Sequence, residues 1–192
     1  MGSVIYDKSM SLDGFIAGAN MRVEAGLGDD GQRLHDWAFK DPEGMELITA
    51  EIARLGAVIC GRRTYDMSIP HWGGDGPTGP ARVPLFVLSH SVPADVPGDG
   101  IYTFVDDLET AMTQAREVAG DRNISVMGAD VGGQCIRAGL VDEISVHLVP
   151  VLFGTGTRMF EHPVDEHVTL ALISVTETRY AIHLRYGVVR EG

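Results

Sequence analysis

Cysteine is scarce: Cys60 and Cys135 are the two in 192 residues. Neither belongs to a CxxC pair or a Cys/His spacing, so no zinc motif or redox pair is readable, no metal is expected, and both are expected to be buried reduced thiols. Long apolar runs are missing as well, none approaching the roughly 20 residues that span a bilayer. Met1-Gly2-Ser3 leads straight into a strand-like segment, without the basic region and apolar core of a signal peptide. A cytoplasmic protein with no membrane partner is therefore expected. Positive charge is short: 15 Lys and Arg stand against 27 Asp and Glu, a net charge of −12. That balance repels phosphate backbones and anionic membrane surfaces, which excludes a general nucleic-acid partner. GxGxxG is absent, and the first strand carries no glycine-rich turn into a helix, so a standard Rossmann domain is disfavoured. With 44% hydrophobic residues, what remains is one soluble domain over residues 1–192 with a small molecule as its partner.

The hydrophobic pattern alternates strands with helices and then turns to strands only. Ser3 to Met10, Ala57 to Cys60, Leu85 to Leu88, Ile101 to Phe104 and Ile124 to Met127 read as strands. Ser11-Leu12-Asp13-Gly14 reads as a bulge or tight turn, and Phe15 to Gly18 continues extended. Helices are expected over Gln32 to Phe39, from Asp41-Pro42 to about Leu55, over Arg62 to Met67, over Asp106 to Ala119 and from Gly128 to about Ala138. Pro at the first helical position behind Asp41 is a good helix start. Pro70 to Pro84, with four glycines and four prolines, is expected as a surface loop. After Gly139 come the β-rich stretch Glu143 to Leu152 and a final pair, Val168 to Val175 and Tyr180 to Val189. The order implies an α/β fold with a mixed, mainly parallel sheet and an antiparallel C-terminal edge.

Three strand ends carry residues suited to a phosphorylated cofactor. Gly61-Arg62-Arg63-Thr64 follows a buried run and opens a helix, Ser89-His90 follows Leu85 to Leu88, and Gly128-Ala129-Asp130-Val131-Gly132-Gly133 joins a strand to a helix. A helix start offers free backbone N–H groups and a positive dipole end, and arginine adds planar donors for phosphate. In open α/β sheets ligands bind outside the carboxyl ends of the strands, where all three lie.

In this order, Ser11-Leu12-Asp13-Gly14-Phe15-Ile16-Ala17, Val58-Ile59-Cys60-Gly61-Arg62-Arg63-Thr64-Tyr65, Phe86-Val87-Leu88-Ser89 and Val126-Met127-Gly128-Ala129-Asp130 resemble dihydrofolate reductase-like proteins. The ending, Gly139 to Ile144, Pro150 to Gly154 and Arg158-Met159-Phe160, resembles the branch that holds the C-terminal reductase domain of bacterial riboflavin biosynthesis enzymes. The resemblance runs from about Val4 to Val189. It implies a three-layer α/β/α fold, a homodimer paired through its sheet, and NADPH as cofactor. Gly61, Arg62, Arg63 and Thr64 would hold phosphates, and Ser89 and His90 the adenosine 2′-phosphate. Gly128, Ala129, Asp130, Val131 and Gly132 would lie under the pyrophosphate and nicotinamide ribose, and Ala17 beside the nicotinamide amide. The family's triple-glycine turn is Gly-Ala-Asp here, and Asp130 is expected to cap its helix with its carboxylate. The Trp-Xaa-Leu-Pro-Xaa-Asp pattern that supplies folate's carboxylate partner is absent; Asp36 lies in roughly that region but without its context.

Other residues admit two readings. Asp13 could hold the N–H groups of a pterin- or pyrimidine-like ring, or organise its own turn. Asp36 and Trp37 could line the substrate pocket, the latter by stacking, or be a solvated carboxylate beside a core tryptophan. His147 could face substrate or be a satisfied core histidine. Arg22, Arg33 and Arg158 are candidates to clamp a substrate phosphate. The function expected is NADPH-dependent reduction of a small heterocycle, as in the riboflavin-pathway ribosylaminopyrimidine reductase. The alternative is an NADP(H)-binding sensor or structural dimer without catalysis.

Overall fold

The computed structural model describes residues 2–160 and 167–190. The chain opens with β1 (Val4–Ser11), a turn and the short β2 (Phe15–Ala17), then a loop, a 3-10 turn over Gly31–His35, α1 (Asp36–Phe39) and α2 (Pro42–Ile52). There follow β3 (Leu55–Gly61), α3 (Arg62–Trp72), β4 (Leu85–Leu88), β5 (Tyr102–Val105), α4 (Leu108–Ala119), β6 (Asn123–Met127), α5 (Ala129–Arg137) and β7 (Glu143–Val149). The described chain ends with β8 (Thr157–Arg158), β9 (Leu170–Glu177) and β10 (Ile182–Val188).

Eight strands form one sheet in the order β5-β4-β3-β6-β1-β7-β10-β9. The six from β5 to β7 are parallel, while β10 runs antiparallel to both β7 and β9. Strand alternation distributes the core. Ala57 and Ile59 of β3 pack with Ala111, Met112 and Ala115 of α4 and with Val131 and Cys135 of α5. Val58 and Cys60, one residue out of phase, pack with Tyr65 of α3 on the other face, and Leu34, Trp37 and Ala38 extend that face toward Val149. Both faces are therefore covered by helices, as a parallel sheet requires. Both cysteines are buried, and burial pushes each thiol up to about 12.

Local chemistry accounts for most boundaries. Asp41 caps α2, and its carboxylate also accepts from Arg179 N at 3.0 Å. Asp107 caps α4, accepting from Thr110 N at 2.7 Å. Several features differ from the sequence expectation. The helix expected to reach Leu55 stops at Ile52, because Leu55 pairs with Asn123 and begins β3. The helix expected to end at Met67 runs to Trp72 and takes Pro70 into its last turns, closing where Gly73 N donates to Ile69 O at 3.0 Å. Proline there removes one internal bond and crowds the carbonyl of Asp66, and the helix closes within a turn. The presumed loop contains a 3-10 turn over Gly76–Ala81. The pair β2–β8, joining Phe15 to Arg158 and Ala17 to Thr157, was not expected at all. Two residues are too short a strand to show periodicity.

Candidate active site

The sheet opens at one place. β1 pairs with β6 only from Val4 to Tyr6, whereas its pairing with β7 continues to Ser11. Among the described residues no strand pairs with that edge of β1 beyond Tyr6, and β6 ends at Met127. A cleft of about 780 Å³ lies over this gap and across the carboxyl ends of β3, β4 and β6. It is lined by Ala17, Gly61, Arg62, Arg63, Thr64, Ser89, His90, Gly128, Ala129, Asp130 and Val131, which the sequence had distributed over three motifs and the β2 segment.

Two helix starts meet in the cleft. Gly61 is the N-cap of α3 and Gly128 that of α5; neither helix has a side-chain cap, and α3 has no acidic residue in its first turn. The two starts touch: a Cβ on Gly128 would lie 2.8 Å from Thr64 Oγ1, and one on Gly61 3.1 Å from Val131 Cγ2. Gly128 has φ +93°, a conformation side chains rarely adopt. Side by side, the free N–H groups of α3 and α5 form an anion cradle.

The adjacent arginines differ. Arg62 Nε donates to Asp66 at 2.7 Å, and its Nη1 reaches Ser89 Oγ at 3.3 Å and Ser91 O at 3.1 Å. It ties α3 to the segment after β4. Arg63 is exposed and touches Met21 Sδ at 3.7 Å, so its guanidinium is available to an anion. His90 and the carboxylates Asp106 and Asp107 also border the cleft. Lys8 lines it too and was missed. The signal was present: alternation along β1 puts Lys8 on the face of Val4 and Tyr6, a charge in an otherwise apolar row. Burial depresses its pKa.

Several expectations are corrected. Gly132 does not line the cleft; a Cβ there would lie 2.3 Å from the ring of Tyr6, so it serves close contact between α5 and the sheet. Asp130 is not the cap of α5, which is Gly128; it sits in the first turn and accepts from Gln134 Nε2 at 2.8 Å. Asp13 accepts from Ser11 Oγ at 2.6 Å, Phe153 N at 3.1 Å and Gly154 N at 2.7 Å. Those donors, Ser11 first, hold its carboxyl at about 2. It fastens the β1–β2 turn to the loop after β7 and does not line the cleft. Asp36 is paired with Lys40 at 2.8 Å. Arg22 pairs with Asp29, Arg158 lies over the Phe15 ring, and Arg33 borders a separate surface groove.

Trp37 and His147 are buried on the face of β1 opposite Lys8, with ring centroids 4.1 Å apart. Trp37 Nε1 donates to Ser9 Oγ at 2.9 Å. His147 Nδ1 lies 2.7 Å from His183 Nδ1, and its Nε2 lies 3.2 Å from Asp7 Oδ2. Burial alone would raise the Asp7 carboxyl, but the His147 imidazole overrides it and holds it at about 2. Burial and then the Asp7 charge push Glu51 up to about 7. For His147 the neighbouring carboxylates outweigh burial and raise its pKa, while burial and His147 lower His183 to about 4.

The architecture is that of dihydrofolate reductase-like proteins. The chain superposes on dihydrofolate reductase from Enterococcus faecalis, solved with NADP(H) and RAB-propyl, with a TM-score of 0.59 at 16% identity over 97% of this chain and 96% of that one. Within that class the chain belongs to the RibD C-terminal domain family, whose model matches residues 3–184. It is similar to a Shewanella sp. PV-4 protein assigned provisionally to riboflavin biosynthesis, with a TM-score of 0.73 and 21% identity over 98% of this chain and 99% of that one. It is also similar to the Thermotoga maritima diaminohydroxyphosphoribosylaminopyrimidine deaminase/5-amino-6-(5-phosphoribosylamino)uracil reductase, with a TM-score of 0.62 and 14% identity over 98% of this chain. There the match spans 57% of the relative's length. No curated protein matches the sequence. Among the described residues no helix is long and apolar enough to cross a membrane.

Proposed function

We propose that this protein is an NADPH-dependent reductase of a small pyrimidine- or pterin-like heterocycle, acting in the cytoplasm. The observation that carries this reading is the cradle of two uncapped helix starts, α3 and α5, beside the available Arg63, in a cleft that runs to Lys8 through the gap between β1 and β6. The residues present fit a dinucleotide: N–H groups at Gly61 to Thr64 and Gly128 to Val131 for the pyrophosphate, Arg63 and His90 for a further phosphate, and Ala17 and Ile16 beside the ring end. Bound there, NADPH would supply the hydride. The chain's own part is to hold the cofactor and acceptor together and to exclude water. Arg62 acts at one remove, keeping the Ser89–Ser91 segment in place.

A second reading, cofactor binding without turnover, is favoured by one observation. Asp13 and Asp36, the acids named from the sequence, are committed to Gly154 and Lys40. Titration of NADPH, beside an NADPH-oxidation assay against dihydrofolate and a panel of aminopyrimidines, separates the two. Turnover of any of these supports the reductase, binding without turnover supports the second reading, and no binding overturns both.

A homodimer belongs to the same reading. β9 occupies the sheet edge with Leu170, Leu172, Ile173 and Val175 all exposed. A long apolar edge strand of this kind calls for cover.

A further inference from the structure

On the face of β1 turned away from the cofactor cleft, three side chains from three separate elements converge. Asp7 of β1, Glu51 of α2 and His147 of β7 each bring one donor atom to a common point, and the three atoms lie within 4.8 Å of one another. His147 Nε2 is 3.2 Å from Asp7 Oδ2 and 3.9 Å from Glu51 Oε2. Donors sharing a six-coordinate divalent ion at about 2.1 Å stand about 3.0 Å apart when adjacent and about 4.2 Å apart when opposite. The His147 distance to Asp7 is close to that of adjacent ligands and the distance to Glu51 close to that of opposite ones.

The surroundings suit a ligand. His147 is 2% exposed, and its other ring nitrogen faces His183 Nδ1, whose Nε2 lies 3.0 Å from Thr178 Oγ1. This chain of donors is complete when His147 carries its hydrogen on Nδ1 and His183 on Nε2. His147 Nε2 then meets two carboxylates, and a metal ion bound there takes the place of the proton that Nε2 otherwise shares with Asp7. A metal-ligating histidine is characteristically oriented by such a partner on its second nitrogen. A cavity of about 140 Å³, bordered by Asp7 and Glu51, adjoins the cluster and leaves room for water or a small donor at the remaining positions. Among the neighbouring basic groups, Arg185 is bonded to Glu143, Lys8 lies on the other face of β1, the buried His35 acts on both His147 and Asp7, and Arg54 borders the cavity and favours the Glu51 charge.

We propose that Asp7, Glu51 and His147 form a site for a first-row divalent transition metal, with water completing its coordination. One imidazole with two carboxylates favours Zn²⁺, Mn²⁺ or Fe²⁺ over Ca²⁺ and Mg²⁺, which prefer all-oxygen sites. The sequence showed no such motif because residues 7, 51 and 147 are brought together only by the β1–β7 pairing and the packing of α2.

The test uses untagged, chelator-stripped protein titrated calorimetrically with Zn²⁺ and Mn²⁺, with Mg²⁺ as comparison. One equivalent of Zn²⁺ is expected to bind, with Mg²⁺ far weaker. Glu51→Gln and Asp7→Asn are each expected to weaken Zn²⁺ binding by roughly tenfold or more, as loss of groups at a metal centre does. Should either variant fail to fold, crystals of the unaltered protein soaked in Zn²⁺ and measured at the zinc edge give the answer directly. An anomalous peak between the three side chains supports the site. No stoichiometric binding, binding unchanged in both variants, or a peak elsewhere overturns it.

Discussion

Gly128 and Gly132 lie four residues apart in one turn and helix, and they are expected to fail in different ways when replaced. The informative substitution is Gly132→Ala. An added Cβ would lie 2.3 Å from Cε2 and Cζ of Tyr6. That ring is fully buried, and its hydroxyl donates to Met159 O at 2.9 Å, so it cannot yield without losing the bond. Overpacking of this kind costs about 1–3 kcal/mol, and rigid surroundings place the value near 3. Alanine's better helix propensity returns up to about 1 kcal/mol. The net loss of about 2 kcal/mol corresponds, for a domain of this size, to a fall in Tm of roughly 4–8 °C. Saturating NADPH at about 100 Kd should still add about 2.7 kcal/mol in the variant as in the parent. Thermal unfolding with and without NADPH measures both quantities. A Gly132→Ala protein that melts normally but no longer responds to NADPH would refute this assignment and return Gly132 to the cofactor site.

Gly128→Val should differ in its ligand response: φ +93° and ψ 145° cost a side chain about 1–3 kcal/mol, so its Tm falls as well, but the NADPH-dependent shift in Tm should disappear. Arg63→Ala should weaken NADPH by roughly tenfold to a hundredfold, the equivalent of about 1.5–3 kcal/mol, with little effect on NADH; equal losses for the two cofactors would refute a phosphate contact. Arg62→Ala should weaken both cofactors in the same titration, because the Ser89–Ser91 segment is released. Asp13 has its carboxyl lowered to about 2, so the stability it contributes is present above the ordinary carboxylate range near pH 4 and is lost as pH falls toward 2. The Tm difference between the parent and Asp13→Ala should therefore shrink across that window. Leu172→Lys on β9 should turn a dimer into a monomer by light scattering, and a parent already monomeric would remove the basis for that expectation.

The fold was legible where physical chemistry is local. Strict alternation in β3 sends Ala57 and Ile59 to one face and Val58 and Cys60 to the other, and Asp41-Pro42 and Asp107 mark helix starts by their capping chemistry. Motif by motif, the cleft residues were legible too, because a glycine ending an apolar strand before a helix carries its meaning within a few positions. Tertiary structure decided what depends on distance across the chain. It separated Arg62 from Arg63, since only the fold brings Ser89 and Ser91 to one and not the other. It spent Asp13 on Phe153 and Gly154, about 140 positions away, and gave Gly132 to Tyr6. Lys8 joined the cleft only because β6 ends before β1 does. Asp7, Glu51 and His147 became neighbours through the β1–β7 register and the packing of α2. Sequence patterns report which face a residue presents; what that face meets is set by strand order and helix packing, which no local pattern encodes.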